Sequence, residues 1–178
     1  MTVCPNLANF SYQTDPVVFQ LKKAVCDIDG AISIITDHEF RIEQSFQILN
    51  IRDWCNECGN CHTFCPSAGT PFIEKPGLCL SPATLNLEGS GFFLSRLPGK
   101  EVLIYRDREN IKTLICTGRF YEYETDQVRA RFNTDTFDLV DVQFLMPCIK
   151  EARFDFAAQM SIIMQGARQF FRLIDPPS

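Results

Sequence analysis

Cys55, Cys58, Cys61 and Cys65 fall within one short run, Trp54-Cys-Asn-Glu-Cys-Gly-Asn-Cys-His-Thr-Phe-Cys-Pro66. The run reads C-x2-C-x2-C-x3-C-P, the spacing with which thiolates hold a [4Fe–4S] cluster. Three thiolates on a tightly curled loop can reach three corners of one iron–sulfur cube. Gly59 takes a positive φ at little cost and lets the backbone approach the inorganic sulfides. Pro66 keeps the chain from continuing in regular hydrogen-bonded structure after Cys65. Structural zinc takes a different pattern, two C-x2-C knuckles separated by about a dozen residues. Four metal-free cysteines crowded together serve no packing purpose. The expected chemistry is therefore electron transfer through a [4Fe–4S] cluster. The alternative is a zinc-stabilised or cluster-stabilised interaction module without a redox role.

The first residues bear on the ligand set. Thr2-Val-Cys4-Pro5-Asn-Leu-Ala-Asn9 looks like the end of another such motif, lacking the three cysteines that would precede it. Where two cluster motifs occur together, the fourth cysteine of each binds the other cluster. That crossing rule joins Cys4 to Cys55, Cys58 and Cys61. The simpler alternative has Cys65 as fourth ligand and Cys4 free.

These thiols must be positioned by the segments around them. Val17–Lys22, Ala31–Ile35 and Glu39–Gln44 read as strands, with a turn at Asp27-Ile-Asp-Gly30. Gln47-Ile-Leu-Asn-Ile51 then leads into Trp54 and Cys55, a strand feeding the cysteine loop. Ile51, Trp54 and Phe64 are candidates to shield a cluster from water, which tunes its potential. His62 lies inside the motif and reads as a solvated loop residue, and His38 as a turn residue. With only two histidines, no Ser/His/Asp or Cys/His pairing can be assembled, so no catalytic site of its own is expected in this chain.

After Pro71 and Pro76 the pattern changes to short antiparallel strands: 91–94, 101–105, 111–116, 119–123, 128–132 and 137–144. Arg129 and Arg131 share one strand face and Val128, Ala130 and Phe132 the other, the mark of a one-sided sheet. Cys26, Cys79, Cys116 and Cys148 lack motif spacing and read as small core or loop residues. From Asp155 to Ile174, apolar residues recur at helical steps, with Asp155 as the expected cap and Gly166 as a slight weakness. The expected fold class is α+β: a ferredoxin-like iron–sulfur half with an inserted hairpin, then an antiparallel β-sheet with a C-terminal helix. The boundary is set at 78/79, giving a ferredoxin-type domain over 1–78 and a β-rich domain with the helix over 79–178.

Composition narrows the setting. The 178 residues are 46% hydrophobic, enough for a real core, and carry a net charge of −5. A sequence pI near 5.0 argues against a nucleic-acid partner. No apolar run is long enough to span a membrane, and the first residues lack the plan of a signal peptide. Of nine cysteines, four sit in the motif and the rest are scattered singly, which fits a reducing cytoplasm rather than a disulfide framework.

Taken together, Val3-Cys-Pro-Asn-Leu-Ala-Asn9, Gln47–Ile51 and the Cys-Asn-Glu-Cys-Gly-Asn-Cys core resemble the C-terminal ferredoxin-type part of large bacterial oxidoreductases. These are similar to the small subunit of glutamate synthase and include the selenate reductase subunit group. The close match covers residues 3–9 and 47–72. The resemblance implies a relay module working with a flavin-containing oxidoreductase domain or subunit. FAD and NAD(P)H would belong to a part of that parent not present here, since no flavin or nicotinamide domain accompanies the motif. It also implies that the chain is a fragment or a split product, its first cluster motif reduced to Cys4.

Overall fold

A computed structural model describes residues 4–64 and 71–175, and β-strands dominate it. Strands β1 (Asn9–Gln13), β2 (Val17–Cys26), β3 (Ile32–Ile42) and β4 (Phe46–Ile51) come first. A single 3-10 turn (Arg52–Trp54), α1 (Asn60–Phe64) and α2 (Pro71–Glu74) carry the chain to β5 (Gly77–Cys79). Helix α3 (Pro82–Glu88) precedes β6 (Ser90–Leu97), β7 (Lys100–Asp107), β8 (Asn110–Cys116), β9 (Phe120–Glu124), β10 (Val128–Asn133) and β11 (Leu139–Phe144). A two-residue strand, β12 (Glu151–Ala152), leads into the long helix α4 (Asp155–Ile174). No helix among the described residues is long and apolar enough to cross a membrane.

Nine of the strands form one mixed sheet in the order β1-β4-β5-β6-β7-β8-β9-β10-β11. From β6 onward it is an antiparallel meander, as period-2 alternation and turns of two to five residues allow. Strand β5 is different: it pairs in parallel with both β4 and β6. Each parallel pair needs a crossover, and these are the cysteine-bearing segment 52–76 and helix α3. The β2–β3 hairpin stands apart and pairs with β12 in a three-stranded sheet. Its turn is held by Asp27, whose Oδ1 accepts from the backbone N–H of Asp29 (3.0 Å) and Ala31 (2.8 Å).

This arrangement overturns the α+β, ferredoxin-like expectation. The protein is mostly β, and β1, β4 and β5 are members of the large sheet rather than the frame of a separate iron–sulfur half. The sheet runs without a break through residues 78 and 79, both in β5. The reason is local pairing: Asn50 and Ile51 bond to Gly77 and Leu78 on one side, and Leu78 and Cys79 to Phe92 and Phe93 on the other. Helix α3 also lay outside the expected elements. Its signals are ordinary ones: Ser81 Oγ accepts from Thr84 N–H (3.0 Å), Pro82 takes the first helical position, and Gly89 ends the helix at φ 68°.

Helix α4 is the filling of the core. It is buried from Ala157 to Ala167 on nearly every side and again at Phe170. Rings from strands across the sheet meet it: Phe10 of β1 against Phe170 (5.3 Å) and Tyr105 of β7 against Phe156 (4.7 Å). Just before the helix, Phe154 lies edge-on to Phe132 of β10 (5.1 Å). Gly166 is a contact point rather than a weakness, because the Tyr12 ring fills the space where a β-carbon would stand, 2.6 Å from Tyr12 Cζ. The cap differs from expectation too. Phe154 occupies the N-cap without a side-chain bond, and Asp155 sits in the first turn, where its charge faces the positive end of the helix dipole.

Candidate functional site

The register of β1 against β4 decides where the cysteines meet. The two strands are antiparallel with Asn9 opposite Asn50. A residue ahead of β1 and a residue beyond β4 therefore emerge at the same end of the pair. Cys4 lies five residues before Asn9 and Cys55 five after Asn50. The two ends are tied by Ile51 N–H donating to Ala8 O at 2.7 Å. Leu7 turns back through a positive φ of 56°, its N–H bonded to Cys4 O (3.2 Å), and Ala8 N–H donates to Cys4 Sγ at 3.3 Å.

On the other side the 3-10 turn delivers Cys55, whose N–H is shared between Ile51 O and Arg52 O, both at 3.1 Å. The loop then curls through Glu57 (φ 52°) and Gly59 (φ 77°). Gly59 is at home there; Glu57 pays about 1 kcal/mol or more for the left-handed conformation. Gly59 O accepts from His62 N–H (2.9 Å) to start α1, which carries Cys61. Cys4, Cys55, Cys58 and Cys61 line one small cavity, together with Asn9, Asn50 and Phe72. Cys61 is buried, Cys4 and Cys55 are half-buried and Cys58 is exposed. Cys65 lies outside the described residues.

The base of this loop is anchored by charge. Asp53 Oδ2 accepts from Leu80 N–H (2.7 Å) and Oδ1 from Thr84 Oγ1–H (2.6 Å), joining the 3-10 turn to β5 and α3. Arg52 donates from Nη1 to Phe72 O (2.5 Å), drawing α2 over the cavity. A β-carbon on residue 77 would stand 2.1 Å from Arg52 Nε, so only glycine admits the guanidinium there. Two buried side-chain atoms among the described residues lack a hydrogen-bond partner, Arg52 Nε and Asn50 Oδ1, and both belong to this corner.

The expected shielding residues are differently employed. Ile51 is fully buried in the main core, and Trp54 packs edge-on against Phe170 at 5.3 Å. The side chain of Phe64 lies outside the described residues, and Phe72 is the aromatic residue on the cavity wall. His62 is exposed on α1. Arg129 and Arg131 are exposed, the first paired with Glu124 (3.0 Å) and the second stacked over Phe120 (3.9 Å). Of the four scattered cysteines, Cys79 is fully buried, Cys26 and Cys116 are half-buried and Cys148 is exposed.

His38 is a strand residue, not a turn residue. Its Nδ1 faces Asp37 Oδ2 (3.2 Å) and its Nε2 faces Asp155 Oδ1 (2.7 Å), bridging the hairpin to the start of α4. The Asp37–His38 pair was visible in sequence, but the remote Asp155 was not. Arg153 also approaches Asp37 (3.9 Å), placing a fixed positive charge beside the group. Wider clefts, of about 440 Å³ beside Tyr105 and Phe156 and about 720 Å³ beside Glu101 and Arg168, contain no comparable set of soft ligands.

Comparison with known proteins reaches only a short segment. No protein-family model matches the chain, and no solved structure matches it. Over 33 residues, 18% of this chain, it is 48% identical to a protein of Escherichia coli (strain K12) named "Putative oxidoreductase YgfK". The protein of the same name from Escherichia coli O157:H7 matches to the same extent. The matched segment spans 3% of the length of these relatives. The similarity thus links a short part of the chain to proteins named as oxidoreductases, and reaches no further.

Proposed function

We propose that this chain is an electron-relay module in which Cys55, Cys58 and Cys61, with Cys4 or Cys65, hold a [4Fe–4S] cluster. The observation that carries the reading is the meeting of Cys4 with three cysteines more than fifty positions away along one small cavity. The donor set suits the group: thiolates are the ligands iron–sulfur clusters take, and a backbone N–H already points at Cys4 Sγ. Such a cluster supplies one-electron chemistry, and the protein supplies position and tuning. The residues here hold the ligands at fixed distances from the core, with Ile51 and Ala8 clamping the two strands and Asp53 and Arg52 clamping the loop. The electron donor in this reading is a flavin site in a larger oxidoreductase, in line with the oxidoreductase name of the short-segment relatives.

The test is iron, acid-labile sulfide and zinc content of the chain purified without oxygen, followed by EPR after dithionite reduction. About four irons and four sulfides per chain with a reduced-cluster signal are expected. Stoichiometric zinc without sulfide, persisting after anaerobic reconstitution, would sink the relay reading.

A further inference from the structure

We propose that Asn50 is the residue that sets the reduction potential of this site, its side-chain amide donating an N–H hydrogen bond to a sulfur of the cluster. The inference rests on the iron–sulfur reading above. Asn50 is 1% exposed on β4, next to the edge strand β1, between Leu49 and Ile51, both fully buried. Asparagine is a poor strand former, and an aliphatic residue would fill this position with no polar group to satisfy. Asn50 is among the residues that line the cysteine cavity. Nδ2 donates to Asn9 Oδ1 at 3.0 Å, while Oδ1 is buried with no partner. A buried acceptor left unpaired is costly.

Turning both amides by half a rotation removes the conflict. Asn9 Nδ2–H then donates to Asn50 Oδ1 across the same 3.0 Å, and Asn50 Nδ2 takes the buried position where the orphan oxygen stands. Asn9, on the partner strand, fixes that orientation. The pair is therefore built to present a donor, not an acceptor, to the cavity. Reduction adds one electron to the site, taken from reduced flavin in the cell-like reaction and from dithionite in the test. No bond is made or broken and no proton moves. An N–H donor to sulfur favours the more negative state, so Asn50 raises the potential.

The experiment uses the full chain, purified anaerobically, with iron and sulfide measured first. An EPR-monitored redox titration then compares the wild type with Asn50→Leu. The midpoint is expected to fall by about 59 mV, a tenfold change in a one-electron equilibrium. In wild type labelled with asparagine carrying 15N at the side-chain amide, pulsed EPR of the reduced cluster is expected to show a nitrogen coupling. A fully loaded Asn50→Leu protein with an unmoved midpoint overturns the role of Asn50. If that variant does not fold, absence of the nitrogen coupling in the labelled wild type overturns it equally. Absence of iron and sulfide from the wild type overturns the iron–sulfur reading itself, which is a separate result.

Discussion

Cys4 and Cys65 pose opposite problems at the scale of single residues. Cys4 is remote in sequence yet lines the cavity; Cys65 is adjacent in sequence and lies outside the described residues. If Cys4 completes the ligand set, Cys4→Ser lowers cluster content severalfold while Cys65→Ser leaves it near the wild-type level. Cys55→Ser serves as the reference for losing a ligand common to both alternatives. Iron and sulfide assays on the three variants, purified side by side, decide the matter. Retention of the cluster in Cys4→Ser together with its loss in Cys65→Ser would exclude Cys4 as the ligand. The cysteine run was visible in the sequence because its members lie close together at regular spacing. The place of Asn50 was not, because an asparagine in an apolar strand looks like a poor fit until its strand partner and the cavity are known.

Among the elements, α4 carries the clearest test. Its helical period was readable, but the use of Gly166 was not, since only the packed structure sets the Tyr12 ring against it. In isolation Gly166→Ala would favour the helix by up to about 1 kcal/mol. Here the added methyl meets ring carbons of a residue only 3% exposed, and overpacking of that kind costs about 1–3 kcal/mol. The substitution is expected to be net destabilising in urea unfolding. The double variant with Tyr12→Leu should recover part of the loss, giving a measurable coupling between the two sites. A more stable Gly166→Ala protein would mean that the ring moves aside freely and that the contact does not fix the helix. The capping of α4 teaches a related point: Asp155 was a reasonable N-cap from sequence, but a one-residue offset placed it in the first turn, where it meets His38 instead.

For the molecule as a whole, buried acids set the behaviour in alkali. Burial, reinforced by the nearby carboxylates of Asp53 and Glu88, pushes the Cys79 thiol from 9.0 up to about 12, with Arg52 opposing. Burial likewise raises the Tyr12 phenol from 10.0 to about 12 and the Tyr123 phenol further still. In each case the folded state holds its proton more tightly than the unfolded chain does. Their contribution is complete below pH 9 and declines as pH rises, first through the thiol and above pH 10 through the phenols. The urea midpoint should be level up to about pH 9 and then fall. Cys79→Ala should remove the earliest part of that fall and leave the part above pH 10 in place. A midpoint that stays level to pH 11 would contradict the burial of all three groups.

What the sequence determined by itself is what depends on near neighbours. The cysteine spacing from Cys55 to Cys65, the alternation in 90–144 and the helical period after Asp155 are short-range patterns; the last two marked their elements, and the first carries the proposed cluster chemistry. The fold class depended on pairings between distant segments. Whether β4 borders a ferredoxin half or a nine-stranded sheet is settled by the two-residue parallel ladders to β5, which leave almost no trace in local pattern. The convergence of Cys4 on the cysteine loop is of the same kind. It follows from the antiparallel register that sets Asn9 opposite Asn50, and hydrogen-bonded register is a property of two strands together, which neither strand carries alone.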